Sequence, residues 1–79
     1  MVETRAAPRY RVKKAAQIEY GGHKITCTLY DLSITGAGLE VLDPAIIPAK
    51  FILVLPEDGL KLPCRVTRRT NFRIGVAFE

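Results

Sequence analysis

The sequence predicts an all-β protein: a small six-stranded antiparallel β-barrel with a short helical turn and a flexible N-terminal arm. Beyond residue 14, apolar residues alternate with polar ones in run after run, which is the period of a half-buried strand. Turn-forming residues separate those runs at short intervals. A chain of 79 residues has room for one domain, and a closed barrel completes such a domain without exposed sheet edges. Residues 1–14 are assigned to the arm and residues 15–79 to the barrel.

Taken in order, Ala16, Ile18 and Tyr20 alternate with Gln17 and Glu19. Gly21-Gly22 follows as a two-residue hairpin turn, because glycine accepts positive φ. Ile25, Cys27 and Leu29 then alternate with Thr26 and Thr28. The turn sets Ile18 opposite Ile25 and Ala16 opposite Cys27, apolar on apolar. The stretch Asp31-Leu32-Ser33-Ile34-Thr35-Gly36 interrupts the alternation, and Ala37, Leu39 and Val41 resume it. Asp43-Pro44 starts the helical turn, with Asp as N-cap and Pro at the first position. Pro48 limits it to about one turn.

Phe51 through Leu55 is a continuous apolar run, read as a strand buried on both faces or lying under a cover. Pro56-Glu57-Asp58-Gly59 is a turn. Leu60, Leu62, Cys64 and Val66, then Phe72, Ile74, Val76 and Phe78, make a last hairpin. A three-residue loop, Arg69-Thr70-Asn71, pairs Val66 with Ile74, Cys64 with Val76 and Leu62 with Phe78, and Asn suits the left-handed position such a loop needs. A two-residue loop is rejected because it sets inward residues against outward ones.

Composition narrows the function. Hydrophobic residues at 48% and charged residues at 25% describe an ordinary globular chain. No apolar run approaches the ~20 residues of a membrane span, and MVETRAAPRYRVKK lacks the apolar stretch of a secretion signal. A cytoplasmic protein is expected. The net charge of +4 lies wholly in residues 1–14, where Arg5, Arg9, Arg11, Lys13 and Lys14 face only Glu3. A basic leader of this kind attracts phosphates or an acidic surface; the alternative is a tail kept polar for solubility.

Catalysis is not expected. His23, the only histidine, sits beside the Gly-Gly turn, and the carboxylates are scattered apart from Glu57-Asp58 in a turn. No nucleophile has a base in evident reach, and no phosphate-binding glycine loop is present beyond the fragment Gly36-x-Gly38. Cys27 and Cys64 fall on apolar faces without a metal-ligand spacing, so they read as small core residues, and neither metal nor cofactor is expected. The chain reads as a binding module.

Two motifs remain. Asp31, Ser33 and Gly36 form DxSxxG at a strand-to-strand junction, where side chains leave the ladder. An ionised Asp accepts from parallel N–H donors such as a guanine edge, Ser adds a short hydroxyl, and Gly permits positive φ or close backbone approach. The plainer reading is a turn that ends a strand. Arg5 and Arg9 form RxxxR in the arm, where Pro8 discourages helix. Guanidinium groups pair with phosphate and with guanine, and stack on purine faces. The same spacing recurs at Arg65/Arg69 and Arg69/Arg73, on a strand face where exposed charge is ordinary.

RxxxR in the leader followed by DxSxxG after two strands resembles the PilZ domain, and the closing Gly75-Val76-Ala77-Phe78 is similar to that family's last strand. The resemblance implies a split β-barrel that binds cyclic di-GMP, a bacterial second messenger. It implies that Arg5 and Arg9 take phosphates and guanine faces, that Asp31 and Ser33 hydrogen-bond one guanine, and that Gly36 permits the turn. Arg68, Arg69 and Arg73 are additional candidate contacts. Thr4, just before RxxxR, matches neither the arginine nor the apolar residue common there, which leaves one bound molecule or a stacked pair open.

With no output domain after Glu79, the signal is expected to pass to an unidentified downstream protein as the arm orders over the ligand. Tyr30 and the Ile46-Ile47 pair are candidates for that surface, and the core is the alternative place for all three. The competing readings are a PilZ-like interaction module that binds no nucleotide and a small basic barrel for single-stranded nucleic acid. The second lacks an exposed row of aromatics, and DNA is not an expected partner.

Overall fold

The computed structural model describes residues 10–79, so Arg5, Arg9 and the rest of residues 1–9 lie outside the described residues. Gly21 and Gly22 take φ of 50° and 82°, which costs glycine little, and they fold β1 (Tyr10–Tyr20) onto β2 (His23–Leu32). Ile18 faces Ile25 and Ala16 faces Cys27, the register that alternation requires. β1 begins at Tyr10, so residues 10–14, given above to the arm, are strand. Lys14 hides this in the sequence. It occupies the same parity as Ala16 and Ile18, but its Nζ turns to Asp58 Oδ2 at 3.0 Å.

After Leu32 a turn leads into β3 (Gly36–Glu40). A single 3-10 turn, Pro44–Ile46, follows, with the Asp43 carboxylate accepting from the Ala45 N–H at 3.1 Å as an N-cap should. β4 (Lys50–Leu55), a second 3-10 turn (Pro56–Asp58), β5 (Leu60–Thr70) and β6 (Arg73–Phe78) complete the chain. The strands close in the order β1-β2-β3-β6-β5-β4, all antiparallel. Closure rests on a short seam in which Gln17, Ile18 and Glu19 pair with Val54, Leu53 and Ile52.

The interior is filled by Ile18, Leu29, Leu39, Leu53 and Ile74, with Cys27 and Cys64 among them. Both cysteines are free thiols in the core. Burial pushes the Cys27 thiol up to about 12 and the Cys64 thiol up to about 11. β4 is not buried on both faces. Phe51, Leu53 and Leu55 point inward, while Ile52 and Val54 are half-buried between Gln17, Glu19, Lys61 and Pro63 of the flanking strands. Side chains on the neighbours cover this face, the second of the two readings the sequence offered for β4.

The last hairpin corrects the expected register. Asn71-Phe72 is a two-residue loop, with Thr70 paired to Arg73. The parity objection is removed by a bulge at Thr67, between Val66 and Arg68, after which Val66 faces Val76 and Cys64 faces Phe78. One extra residue returns the inward set to the inside. The left-handed position falls on Phe72 (φ 61°) rather than on Asn71, and the ring is 65% exposed. The isoleucine pair divides: Ile47 is 2% exposed in the core and Ile46 is 54% exposed.

Candidate functional site

The junction after β2 is where the barrel wall becomes irregular. On the β1 side Arg11 pairs with Asp31 and Lys14 with Leu29, so Val12 and Lys13 together oppose Tyr30. On the β3 side Leu29 pairs with Leu39 and Asp31 with Gly38, which leaves Tyr30 as the extra residue. Paired bulges of this kind bend a strand and re-aim its side chains. They carry Tyr30 and Asp31 onto the outer face of the wall.

Ser33 is turned the other way. It is 6% exposed. Its Oγ accepts from the Gly36 N–H at 3.2 Å and the Thr35 N–H at 3.3 Å and lies 3.2 Å from Thr35 Oγ1, while its own N–H donates to the Gly36 carbonyl at 2.9 Å. The hydroxyl therefore holds the turn together, which is the plainer of the two roles the motif offers. Gly36 serves close approach rather than positive φ. A Cβ there would run into the Val76 carbonyl oxygen across the β3–β6 ladder. With Ser33 it fixes the corner that carries Asp31.

Beyond Asp31 the outer wall is shallow because its floor is glycine. Gly38 of β3 pairs with Gly75 of β6. Tyr30 lies across β3 at Gly38, where a Cβ would come within 2.6 Å of Cζ and 2.8 Å of Oη. Two clefts flank the ring. One, of about 320 Å³, is lined by Tyr30, Asp31, Gly38, Thr67, Arg68 and Gly75, among others. The other, of about 270 Å³, is lined by Arg11, Val12, Tyr30, Asp31 and Arg73. Asp31 borders both, and one of its oxygens, Oδ1, is out of reach of solvent. The Arg73 guanidinium lies over the Tyr30 ring, 4.6 Å from its centroid, and pairs with Glu40 at 3.2 Å.

A carboxylate, three arginines and an aromatic ring on a glycine floor suit a ligand that carries anionic groups and a flat base with N–H donors. Of the candidates read from the sequence, Asp31, Arg68 and Arg73 meet here, and Ser33 and Gly36 build the corner. Arg69 does not join them. Its Nη1 donates to the Pro44 carbonyl at 2.6 Å, and it lines a separate groove with Leu42 and Phe72. Arg5 and Arg9 lie outside the described residues, but Tyr10, next to Arg9, pairs with Leu32. Arg11, Tyr30, Gly38, Thr67 and Gly75 were not named as ligand contacts from the sequence. Arg11 could have been found by running the Gly21-Gly22 register back along β1, which lands it beside Asp31-Leu32.

The fold and the site together define a small β-barrel binding module with a cationic outer cleft. The sequence model of the PilZ domain matches residues 3–79, and the chain belongs to that family. PilZ domains are in general receptors for cyclic di-GMP. No curated protein matches the chain. Among the described residues, no helix is long and apolar enough to cross a membrane, and no cluster of three or more metal-ligating side chains is present.

Proposed function

We propose that this PilZ domain binds cyclic di-GMP on the outer wall between the β2–β3 corner and the β5–β6 hairpin, and that it relays occupancy to a downstream protein. The observation that carries this reading is the register at the mouth of β1. Arg11 pairs with Asp31 and Tyr10 with Leu32. The chain therefore enters the barrel beside the DxSxxG corner, and Arg9 is the next residue upstream. At ~3.5 Å per residue, Arg5 is no more than about 18 Å of chain from Tyr10. Both motif arginines are thus tethered within reach of the Asp31 clefts.

In this reading the Asp31 carboxylate accepts from a guanine N1–H and N2–H edge, while Arg5 and Arg9 take phosphate and base faces. Ser33 and Gly36 act by holding the corner. Arg68, Arg11 and Arg73 add positive charge around the two clefts. Residues 1–9 close over the nucleotide, and leader and ligand together present the surface a partner recognises. Each charge-assisted hydrogen bond contributes about 1.5–3 kcal/mol, against about 1–2 kcal/mol for each residue fixed. Loss of one arginine or of the carboxylate therefore removes most of the net affinity.

Isothermal titration with cyclic di-GMP tests this directly and gives the stoichiometry. Asp31→Ala and Arg9→Ala are expected to weaken binding at least about 10-fold with the β-sheet circular dichroism unchanged. Binding near wild-type strength in either folded variant refutes the assignment. Amide exchange in residues 1–9 is expected to slow on adding the nucleotide.

A further inference from the structure

Arg73 is held from two sides by residues that the DxSxxG and RxxxR motifs do not include. Its guanidinium lies over the Tyr30 ring, 4.6 Å from the centroid. Its Nη2 donates to Glu40 Oε2 at 3.2 Å, and Glu40 is its direct partner across the β3–β6 ladder. The ring can lie across β3 because residue 38 is glycine; a Cβ there would crowd Cζ to 2.6 Å. A guanidinium offers five N–H donors in one plane and two flat faces. Tyr30 supports a face and Glu40 engages one nitrogen. The same side chain is about half exposed and lines the cleft shared by Arg11, Tyr30 and Asp31.

We propose that Tyr30 is a positioning residue for Arg73 and that Glu40 is a built-in competitor, so that a phosphodiester ligand takes the full guanidinium fork of Arg73 by displacing a carboxylate. The proposal deepens the nucleotide-binding reading of this site and rests on it. Carboxylate and phosphate both prefer the planar fork of a guanidinium. A phosphate arriving beside Arg11 and Asp31 therefore competes with Glu40 for the same N–H groups, while the ring keeps the guanidinium aimed at the cleft. Glu40 lowers affinity and raises selectivity, because a weakly charged ligand does not displace it. The pair is exposed, and exposed pairs are weak, so relieving it tightens binding about two- to five-fold. A cation over an exposed ring is held with similar strength, so losing the ring weakens binding about two- to five-fold.

The test is calorimetric titration of cyclic di-GMP into the wild type, Glu40→Gln, Tyr30→Phe, Tyr30→Leu and Arg73→Ala, with the last also combined in turn with Glu40→Gln and Tyr30→Leu. Glu40→Gln is expected to bind about three-fold tighter. Tyr30→Phe matches the wild type, Tyr30→Leu binds about three-fold weaker and Arg73→Ala about ten-fold weaker. In the Arg73→Ala background neither the position-40 nor the position-30 change has a further effect, an outcome a merely structural tyrosine would not give. Thermal midpoints confirm folding, and Glu40→Gln keeps the test decisive if Tyr30→Leu does not fold. Glu40→Gln binding no tighter than the wild type, or either effect persisting without Arg73, overturns this proposal alone. A wild type that binds no cyclic di-GMP overturns the site reading and this proposal together.

Discussion

Gly36→Ala is predicted to be severely destabilising, although it adds one methyl group. The new Cβ would run into the Val76 carbonyl oxygen and lie 3.3 Å from Val76 C and 3.4 Å from Ala77 Cα. All three are backbone atoms of the paired strand, so no side-chain rotation relieves the overlap. β3 and β6 must separate where Gly36 pairs with Ala77. Next to that pair, the Phe78 N–H donates to the Thr35 carbonyl at 2.9 Å, the Ser33 N–H to the Gly36 carbonyl at 2.9 Å, and the Gly36 N–H to Ser33 Oγ at 3.2 Å. Losing two or three of these at about 1 kcal/mol each costs roughly 2–3 kcal/mol. A domain of this size has a total stability of about 4–12 kcal/mol, and each kcal/mol moves its midpoint about 4–8 °C. The expected fall in Tm is therefore about 10–20 °C by calorimetry. Gly75→Ala is the control, because its Cβ meets nothing closer than Thr67 Oγ1 at 3.5 Å, an ordinary contact. A Gly36→Ala midpoint within about 3 °C of the wild type would refute the close-approach account.

Two further predictions concern the core and the last turn. The buried Cys27 and Cys64 thiols are raised to about 12 and about 11 from 9.0. The folded protein thus holds these protons after the unfolded chain has released them. Their contribution is complete below about pH 9 and is lost as pH rises through about 11–12; a Cys27→Ala/Cys64→Ala variant measured alongside should lose less stability over that window. Phe72 holds φ 61°, a conformation that costs a bulky residue about 1–2 kcal/mol. Phe72→Gly, at an exposed ring, is expected to raise Tm by about 4–8 °C; a lower midpoint in thermal unfolding would show that the ring contributes more than the strain removes.

Legibility followed local chemistry. The Gly21-Gly22 hairpin, the Asp43-Pro44 capped turn and the two core cysteines could be read because each is decided by residues a few positions apart. The last hairpin could not. Its two-residue loop becomes acceptable only through the bulge at Thr67, and a bulge is chosen by the register of both strands. The start of β1 was missed for a related reason, since Lys14 on the inward parity is explained only by Asp58, far along the chain. At the site, the motif gave Asp31 and the corner residues. It did not give the pairing of Tyr30 with Arg73, an arginine named from the sequence only as an additional candidate; the two meet because Gly38 from a third strand lets the ring lie across it. The sequence offered Tyr30 to a partner surface or to the core; its ring borders both clefts beside Asp31.

The short β1–β4 seam carries a further meaning for how the wall is made. Most of its joins are between neighbours in the chain, but the join of β1 with β4 at Gln17–Glu19 and the join of β3 with β6 each bring together segments more than thirty residues apart. Segments that distant meet late, after the loop entropy between them has been overcome. The cylinder is thus two three-stranded ribbons, β1-β2-β3 and β4-β5-β6, stitched along two distant seams, the shorter at Gln17–Glu19 and the longer from Gly36 to Glu40. The corner built by Ser33 and Gly36 lies on the second of these seams, so its shape is completed only when the two ribbons meet.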